Sequence, residues 1–459
     1  MNHMFKKFTN ACINIANKWL PDPFIFAVFL SVILFISGIA FNGESPYSMI
    51  VHWGNGFWGL LGFAMQMSLV VMLGNCLASA PIFKRILQRL SSIPKTPKQA
   101  VALCTFVTGL CCMAQWGFGL VIGAIFAKEL AKKVKGVDFR LLAASAYSTF
   151  MLTVLTSSIT LKAASNPEEL SKITGGAYTN VIPLIQTAYH PATLMALVAM
   201  LITLPLLNAA MHPSPDKTVT IDPRLIDEDE LKSKVEPKNL EKNFANWIEN
   251  SPLVSILIFI AGLVYIFHHF VILKGSLNID IMNLGLLALG VLLHKTPINY
   301  VNAIKDAASS SAGIILQFPF YAGIMGMMAG KNAAGISIGG LLTTKLAEIS
   351  TPTTLPFTTF ASAAIVNMFI PSAGGQWAVQ APVMLPAAKA LSVSPGIIVT
   401  ALCWGDTWTN MIQPFWALPI LGIAKLGVRD IMGFMVSIFL WTGIIILASL
   451  FIWIKFFGI

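Results

Sequence analysis

Two glycine-containing breaks interrupt apolar stretches of this chain, and each holds a Gln-Trp pair, "MAQWGFG" (113–119) and "PSAGGQW" (371–377). A helix that begins at such a break leaves main-chain amides without helical partners, and these amides attract anions. Glycine lets a ligand approach the backbone closely, and Ser372 adds a hydroxyl. The breaks therefore predict an anion site. The residues assigned to substrate binding there are Gln115, Trp116, Gly117, Ser372, Gly374, Gly375, Gln376 and Trp377.

A carboxylate lies within one predicted membrane span, and it is Asp406. It belongs to "WGDTWTNMIQPFW" (404–416), where Pro414 lacks a main-chain donor and helps to break the helix. An ionisable group inside a membrane is costly and is by default a functional hypothesis, here a cation ligand or proton carrier. The alternative is a carboxylate that only bonds to neighbouring Thr or Asn groups and holds the break. Thr407 is assigned with Asp406 to cation or proton coupling, and Ser157, Thr409 and Asn410 to substrate binding.

The sequence offers no set of residues typical of an enzyme. It contains no H-E-x-x-H, Walker or dinucleotide-binding motif, and its six cysteines do not have metal-ligand spacing. An intramembrane enzyme would have one buried carboxylate and no second catalytic group. We therefore predict no catalytic residue, no metal and no cofactor, and we favour a secondary transporter or a channel.

Four tryptophans and one lysine near the breaks have two interpretations each. The tryptophans are Trp116, Trp377, Trp404 and Trp408. They pack as aromatic filler, or they line an apolar substrate tail. Lys162 lies at a predicted outer end of a span, which favours a side chain that extends to the interface over one that contacts a ligand.

The composition indicates an all-helical membrane protein with many spans. Hydrophobic residues make up 56% of the chain and charged residues 11%, whereas a soluble domain has about 25% charged residues. The net charge of +10 is typical of cytoplasmic Lys and Arg in a membrane protein, so we predict no nucleic-acid partner. Apolar segments near the length of a membrane helix are predicted at 24–42, 57–83, 99–127, 140–163, 191–211, 252–273, 281–294, 308–330, 357–388, 397–420 and 431–456.

A polar, charged segment at 212–250 divides the chain into two halves of similar size. We assign 1–211 to a first repeat, which opens with an interfacial N-terminal helix, and 251–459 to a second repeat. The segment between them is a cytoplasmic linker loop. The N-terminus is predicted to be cytoplasmic and the C-terminus to lie outside.

The basic loops predict two re-entrant hairpins. The loops at 84–98 and 128–140 are both rich in Lys and Arg, so both should be cytoplasmic. The apolar segment 99–127 between them must then enter and leave the membrane on the same side. The segment 357–388, broken at "PSAGGQ", is treated likewise and opens to the outside. Hairpins that open to opposite sides are typical of inverted-topology repeats.

The residues around the two Gln-Trp pairs support a duplication of the two halves of the chain. When "QWGFGLVIGAIFAKEL" (115–130) is set on "QWAVQAPVMLPAAKAL" (376–391), Gln, Trp, Ala, Lys and Leu coincide. The broken segments that follow, "SAYSTFMLTVLTSS" (145–158) and "LCWGDTWTNMIQP" (402–414), occupy equivalent places.

The stretches "FIPSAGGQWAVQAPVMLPAAKAL" (369–391) and "CWGDTWTNMIQPFWALPILGIAKL" (403–426) resemble the short-chain fatty acid transporter family of bacteria. This family, associated with the use of acetoacetate and butyrate, belongs to a broader ion transporter superfamily. The resemblance implies a homodimer in the inner membrane lipid bilayer, with a scaffold domain and a mobile transport domain. It also implies that substrate binds between two opposed hairpins and crosses by an elevator-like movement.

The residues at the tips of the two predicted hairpins differ from those of related carriers. Sodium-coupled dicarboxylate carriers of the superfamily have Ser-Asn-Thr at the tips, where this chain has "AQWG" and "SAGGQW". We therefore expect a short-chain monocarboxylate substrate, held by one anion site and an apolar recess, with a proton or sodium as the coupling ion. The alternatives are a carrier of another organic anion, such as a dicarboxylate, and an anion channel.

Overall fold

The computed structural model of the chain describes residues 9, 11–13, 18, 22–114, 116–165, 167–174, 176–225, 243–275 and 278–459. Helices dominate these residues, and the strand structure among them is one isolated bridge between Lys331 and Ser337. Seven helices of the described chain are long and apolar enough to cross a membrane. A further pair, Pro46–Gly56 and Leu61–Leu77, is bent by 46° at a short break.

The first half runs from α1 to α10. Its helices are α1 (Pro23–Asn42), α2 (Pro46–Gly56), α3 (Leu61–Ser79), α4 (Pro81–Ser91), α5 (Pro97–Ala114), α6 (Trp116–Lys133), α7 (Phe139–Ser148), α8 (Ser158–Ser165), α9 (Pro167–Ile173) and α10 (Pro191–Ala210). A 3₁₀ segment, Thr149–Thr156, lies between α7 and α8.

The second half runs from α11 to α21. Its helices are α11 (Phe244–Glu249), α12 (Pro252–Phe267), α13 (Ile279–Leu293), α14 (Pro297–Ala307), α15 (Ala312–Ala329), α16 (Ile338–Glu348), α17 (Leu355–Asn367), α18 (Ala373–Ala390), α19 (Pro395–Thr409), α20 (Leu418–Ala424) and α21 (Val428–Ile452). A 3₁₀ segment, Pro414–Ala417, precedes α20.

Side-chain caps set the starts of several helices. Asp22 accepts from the amide of Phe24 at 2.9 Å, and Asp138 accepts from the amide of Leu141 at 3.0 Å. Each cap satisfies a main-chain donor that the first helical turn leaves unpaired. At the other end of α1, Gly43 takes a left-handed conformation with φ 66°, which only glycine adopts without strain.

The helices α5 and α6 form an antiparallel pair. A Cβ on Gly119 would meet the Sγ of Cys112, and a Cβ on Gly123 would lie 2.5 Å from the Cγ2 of Thr108. The contacts thus pair later residues of α6 with earlier residues of α5. Glycine at both positions allows the two backbones to approach closely.

The helices α17 and α18 form a second antiparallel pair. The side-chain amide of Gln376 donates to the carbonyl of Ala363 at 2.9 Å, and the hydroxyl of Thr359 donates to the Sδ of Met384 at 3.4 Å. The two pairs occupy the segments 99–127 and 357–388, each of which the sequence analysis predicts to turn back on itself.

Two helices are interrupted beside these pairs. Ser157, with ψ 139°, separates the 3₁₀ segment after α7 from α8. Residues 410–413 separate α19 from the 3₁₀ segment before α20, where Gln413 accepts from the amide of Phe415 at 2.7 Å. The two interrupted helices meet, since the hydroxyl of Tyr147 donates to the carbonyl of Asn410 at 2.5 Å.

The structure confirms the all-helical class, and most predicted apolar segments coincide with helices. Among the described helices, five lie wholly outside the predicted spans, α2, α9, α11, α14 and α16, and α4 lies mostly outside them. The predicted interfacial N-terminal helix lies mostly outside the described residues, as does 226–242 of the linker loop.

The outer surface of the described helices is apolar. Phe29 of α1 is 65% exposed and Leu257 of α12 is 58% exposed. Large side chains such as Trp377, Trp404 and Tyr147 are instead fully buried near the broken helices. This distribution is typical of a protein that is surrounded by lipid and keeps its polar groups in the interior.

Candidate functional site

The tip between α17 and α18 brings a hydroxyl and helix-start amides together. Ser372 is the N-cap of α18, and its Oγ accepts from the amide of Gly375 at 3.4 Å. Gly374, between them, is half-buried and has no side chain. The start of α18 carries the positive end of the helix dipole, which favours a negatively charged group.

Gln376 and Trp377 point into the protein and not toward an open tip. Both are buried, and the amide nitrogen of Gln376 also donates to the Oε1 of Gln380 at 2.8 Å. Gln380 in turn donates to Ser362 at 2.6 Å and to Thr343 at 3.3 Å. This network ties α18 to α17 and α16, so in this conformation Gln376 braces the tip.

An apolar cavity of about 210 Å³ adjoins the same tip. It lies between the tip, α15 and the bend from α2 to α3. Its lining residues are Gly56, Gly59, Leu60, Ala322, Met325, Gly326, Ala329, Ile370 and Gly375. Of the predicted substrate-binding residues Gly375 alone borders it, and no tryptophan is among its lining residues.

The tip between α5 and α6 is covered by aromatic side chains. Gln115 lies outside the described residues. Trp116 packs edge-on against Trp416 with ring centroids 5.0 Å apart, and Gly117 is buried. Trp416 belongs to the 3₁₀ segment before α20, so the second half closes over the tip of the first.

Asp406 contributes its main-chain carbonyl to a cluster of buried oxygens around Asn367, and its side chain is buried as well. It is 5% exposed, and its Oδ1 has no hydrogen-bond partner among the described residues. The side-chain nitrogen of Asn367 lies 2.7 Å from the carbonyl of Asp406, 3.0 Å from the Oγ1 of Thr409 and 2.7 Å from the Oδ1 of Asn410. Thr407 instead donates to its own helix, to the carbonyl of Cys403 at 2.8 Å.

The sequence analysis did not assign Asn367, although it holds this cluster together. An amide nitrogen has two hydrogens, whereas Asn367 has three acceptors within reach, so the cluster has more oxygens than donors. The sequence alone could have indicated Asn367 as a functional residue, because it is the one amide side chain in the apolar helix α17.

Ser157 lies close to the second broken helix. It stands at the break before α8, and α8 packs against α19, the helix that contains Asp406 and Thr409. The structure therefore brings Ser157 into the same part of the protein as Asp406, Thr409 and Asn410.

Lys162 lies beside the tip between α17 and α18. The side chain is half-buried, and the position that a Cβ on Gly374 would occupy is 3.6 Å from its Nζ. The helix α8 packs on α18 and α19, which brings Lys162 close to this tip.

Aromatic packing and one hydrogen bond account for the position of Trp408. Trp408 stacks on Phe439 with centroids 3.8 Å apart and donates to the carbonyl of Phe439 at 2.8 Å. Trp404 and Trp377 are fully buried away from the cavity. The aromatic-filler interpretation therefore fits these three residues in this conformation.

One string of the sequence, 335–339, matches the G-x-S-x-G pattern of esterase-type nucleophiles. Ser337 within it is the N-cap of α16, and its Oγ accepts from the amide of Gly340 at 3.0 Å. In such enzymes the serine follows a strand in a sheet, whereas here the described residues around Ser337 form a capped loop. Nor does the described chain gather three His, Cys, Asp or Glu side chains in a way that could hold a metal ion.

Comparison with known proteins shows the family of the chain. A family model described as short chain fatty acid transporter matches residues 4–453. The chain belongs to the short-chain fatty acid transporter family. The match covers both antiparallel pairs and both broken helices, and it establishes a transporter and not an enzyme.

Two curated relatives agree along almost their whole length. A candidate short-chain fatty acid transporter from Escherichia coli strain K12 is 39% identical over 449 residues, 97% of this chain and 99% of that protein. Another from Haemophilus influenzae strain Rd is 39% identical over 454 residues, 98% of this chain and 100% of that protein. Among solved structures, the YdaH transporter of Alcanivorax borkumensis matches with a TM-score of 0.47 and 17% identity, over 95% of this chain and 99% of that chain.

Proposed function

We propose that this family member is a secondary active transporter of short-chain fatty acids, monocarboxylates like butyrate and acetoacetate, across the bacterial inner membrane. A proton or a sodium ion moves with the substrate. The observation that carries the coupling is the buried carboxylate of Asp406 in α19, whose Oδ1 has no hydrogen-bond partner among the described residues.

The oxygen cluster supports a cation or proton at Asp406. The unpartnered Oδ1 of Asp406 is buried, and a buried polar atom without a partner is unfavourable. Asn367 donates its two hydrogens among three acceptors, so at least one of these oxygens is left for another donor or a cation. Carboxylate, hydroxyl and amide oxygens are ligands that hard cations accept.

The tip of α18 and its neighbouring cavity support a monocarboxylate. The tip offers one positive helix end with the Ser372 hydroxyl, and the cavity beside it is apolar. A dicarboxylate would have to place its second charge against apolar atoms, which is unfavourable without a partner.

The correspondence between the halves supports the proposal of inverted repeats and an elevator mechanism. The order antiparallel pair, broken helix, long helix occurs as α5–α8 with α10 and again as α17–α21. We assign these helices to the moving transport unit and α1–α4 with α12–α16 to the scaffold unit. The repeats span 1–211 and 251–459, joined by the cytoplasmic linker 212–250, with the N-terminus inside, the C-terminus outside and a homodimeric assembly.

Uptake by proteoliposomes tests this proposal. Purified protein should take up labelled butyrate with saturable kinetics, and unlabelled acetoacetate should compete more strongly than succinate or citrate. Preloaded unlabelled butyrate should accelerate uptake by exchange, as a carrier requires. Saturable uptake of succinate in place of butyrate would favour a dicarboxylate carrier, and flux without exchange would favour an anion channel.

A further inference from the structure

Two features on either side of the α18 tip have complementary chemistry. On one side, the ammonium of Lys162 lies 3.6 Å from where a Cβ on Gly374 would stand. On the other side, Gly375 borders the apolar cavity. Consecutive residues of one tip thus separate a positive charge from an apolar recess.

The position of Lys162 depends on packing between the two halves. The helix α8 begins after the break at Ser157 and contacts both α18 and α19. A Cβ on Gly374 would come within contact distance of the ammonium, so glycine at this position leaves room between the backbone and the charge. An anion in that space would meet both the Lys162 charge and the positive end of α18.

The cavity has the size of a short acyl chain. An engineered apolar cavity of about 150 Å³ in a protein core holds benzene, which has six carbons. The volume of about 210 Å³ beside Gly375 therefore accommodates a tail of a few carbons. Met325 and Ile370 limit it next to the tip, since a Cβ on Gly375 would lie 3.1 Å from the Cε of Met325 and 3.0 Å from the Cγ2 of Ile370.

We propose that these two features are the two ends of one substrate site. The substrate carboxylate lies between the Lys162 ammonium and the amides of Ala373 and Gly374, in the first turn of α18. Its acyl tail lies in the cavity, where Met325 and Ala329 determine which chain length is preferred. This inference rests on the proposed function, which it deepens by naming the charge that selects an acid and the wall that selects its length.

Chain-length selectivity tests the cavity. In wild-type proteoliposomes KM should fall about fourfold for each methylene from acetate to butyrate, because each buried methylene adds a constant increment to binding. Met325→Ala enlarges the cavity and should raise kcat/KM for hexanoate relative to butyrate, by up to about 15-fold for two further methylenes. Ala329→Leu, at an exposed lining position, should shift preference toward propionate.

Met195→Ala is the matched control, because Met195 is 53% exposed on the outer face of α10. It should leave the chain-length profile unchanged. Profiles of Met325→Ala and Ala329→Leu that match wild type would overturn the assignment of the cavity.

Neutralisation of Lys162 tests the charged end. Lys162→Met should raise KM for butyrate at least tenfold with a smaller change in kcat, and Lys162→Arg should restore most of the affinity. Wild type should prefer butyrate over its neutral amide as a competitor, and Lys162→Met should lose that preference. Lys345→Met is the control, because Lys345 forms an exposed ion pair with Glu348 on α16.

The outcomes separate this inference from the proposed function. If the wild-type protein shows no saturable uptake of any short monocarboxylate, the proposed function itself fails. If wild type transports butyrate and folded Lys162→Met still discriminates against the amide as wild type does, the Lys162 assignment fails alone. Thermal unfolding in detergent establishes that each variant is folded.

Discussion

The carboxylate of Asp406 is buried, and the described donor in its surroundings, Asn367, bonds the main-chain carbonyl and not the carboxylate. Asn367 has three acceptors around one nitrogen, and Asp406 keeps one buried carboxylate oxygen without a partner. A group that only held the helix break would have its oxygens satisfied by nearby donors. The buried Oδ1 of Asp406, which has no partner among the described residues, therefore favours the coupling role over the bracing role.

Asp406→Asn tests this role at the scale of one residue. The variant keeps the shape of the side chain but removes its charge and its protonation equilibrium. A cation gradient should therefore no longer drive butyrate above its external concentration. Exchange of labelled for unlabelled butyrate should persist, because it requires no net cation movement. Asp216→Asn, at a fully exposed position, is the control, and equal gradient-driven accumulation in Asp406→Asn and wild type would refute the coupling role.

Sequence reasoning reached Asp406 but could not orient Gln376 or Lys162. A single carboxylate in an apolar segment can be recognised from the sequence, because burying its charge in a membrane is unfavourable whichever residues surround it. The direction of Gln376 depends on Ser362 and Thr343, which belong to other helices. Likewise, Lys162 reaches the tip because α8 crosses to the other half, a contact that no local pattern encodes.

At the scale of elements, the close approach of α17 and α19 positions the oxygen cluster. Gly405 faces α17, and a Cβ there would lie 2.5 Å from both the carbonyl of Phe360 and the Cβ of Ala363. Only a residue without a side chain permits this separation, which lets Asn367 reach the carbonyl of Asp406.

Gly405→Ala should therefore force α17 and α19 apart. Overpacking of this kind costs about 1–3 kcal/mol, so the midpoint of thermal unfolding in detergent should drop. Gly62→Ala is the matched control, because Gly62 lies within α3 with no atom within 4 Å of its Cβ position. That change should be neutral or stabilising by about 0.5–1 kcal/mol, and equal unfolding midpoints for the two variants would contradict this account.

Apolar length identified the long helices, and its limits explain why shorter ones such as α2 and α16 were not predicted. α2, "PYSMIVHWGNG", contains His, Asn and two Gly, and α16, "IGGLLTTKLAE", is short and half polar. These helices form because they pack on α15, α17 and α18, and their own residues do not predict that packing. The antiparallel pairs were predictable because their basic flanks restrict which side each end can occupy.

At the scale of the whole molecule, the proposed transport and scaffold units meet along α3 and α6. The two helices pack closely at Gly74, whose Cβ position is 3.2 Å from the Cβ of Val121. An elevator mechanism requires this contact to slide, whereas a fixed pore or channel does not.

A disulfide across this contact tests the movement. Gly74→Cys with Val121→Cys, in a variant whose six native cysteines are replaced, places two Cβ atoms near the roughly 3.5–4.5 Å that a disulfide needs. Oxidation should arrest butyrate uptake, and a reductant should restore it.

A disulfide within the scaffold unit is the control for the cross-link. Gly262→Cys with Ala288→Cys joins α12 to α13, where a Cβ on Gly262 would lie 2.9 Å from the Cβ of Ala288. Oxidation of this pair should leave uptake unchanged. Full uptake by the completely oxidised Gly74–Val121 pair would rule out the sliding of these units.

The most direct measurement is gradient-driven accumulation of labelled butyrate in proteoliposomes that contain the wild-type protein. Liposomes are given an inward proton gradient, an inward sodium gradient, both or neither, at one butyrate concentration. We expect butyrate to rise above its external concentration with one of the two gradients and only to equilibrate without them. Equilibration alone under every gradient, at the same initial rate, would contradict a cation-coupled transporter.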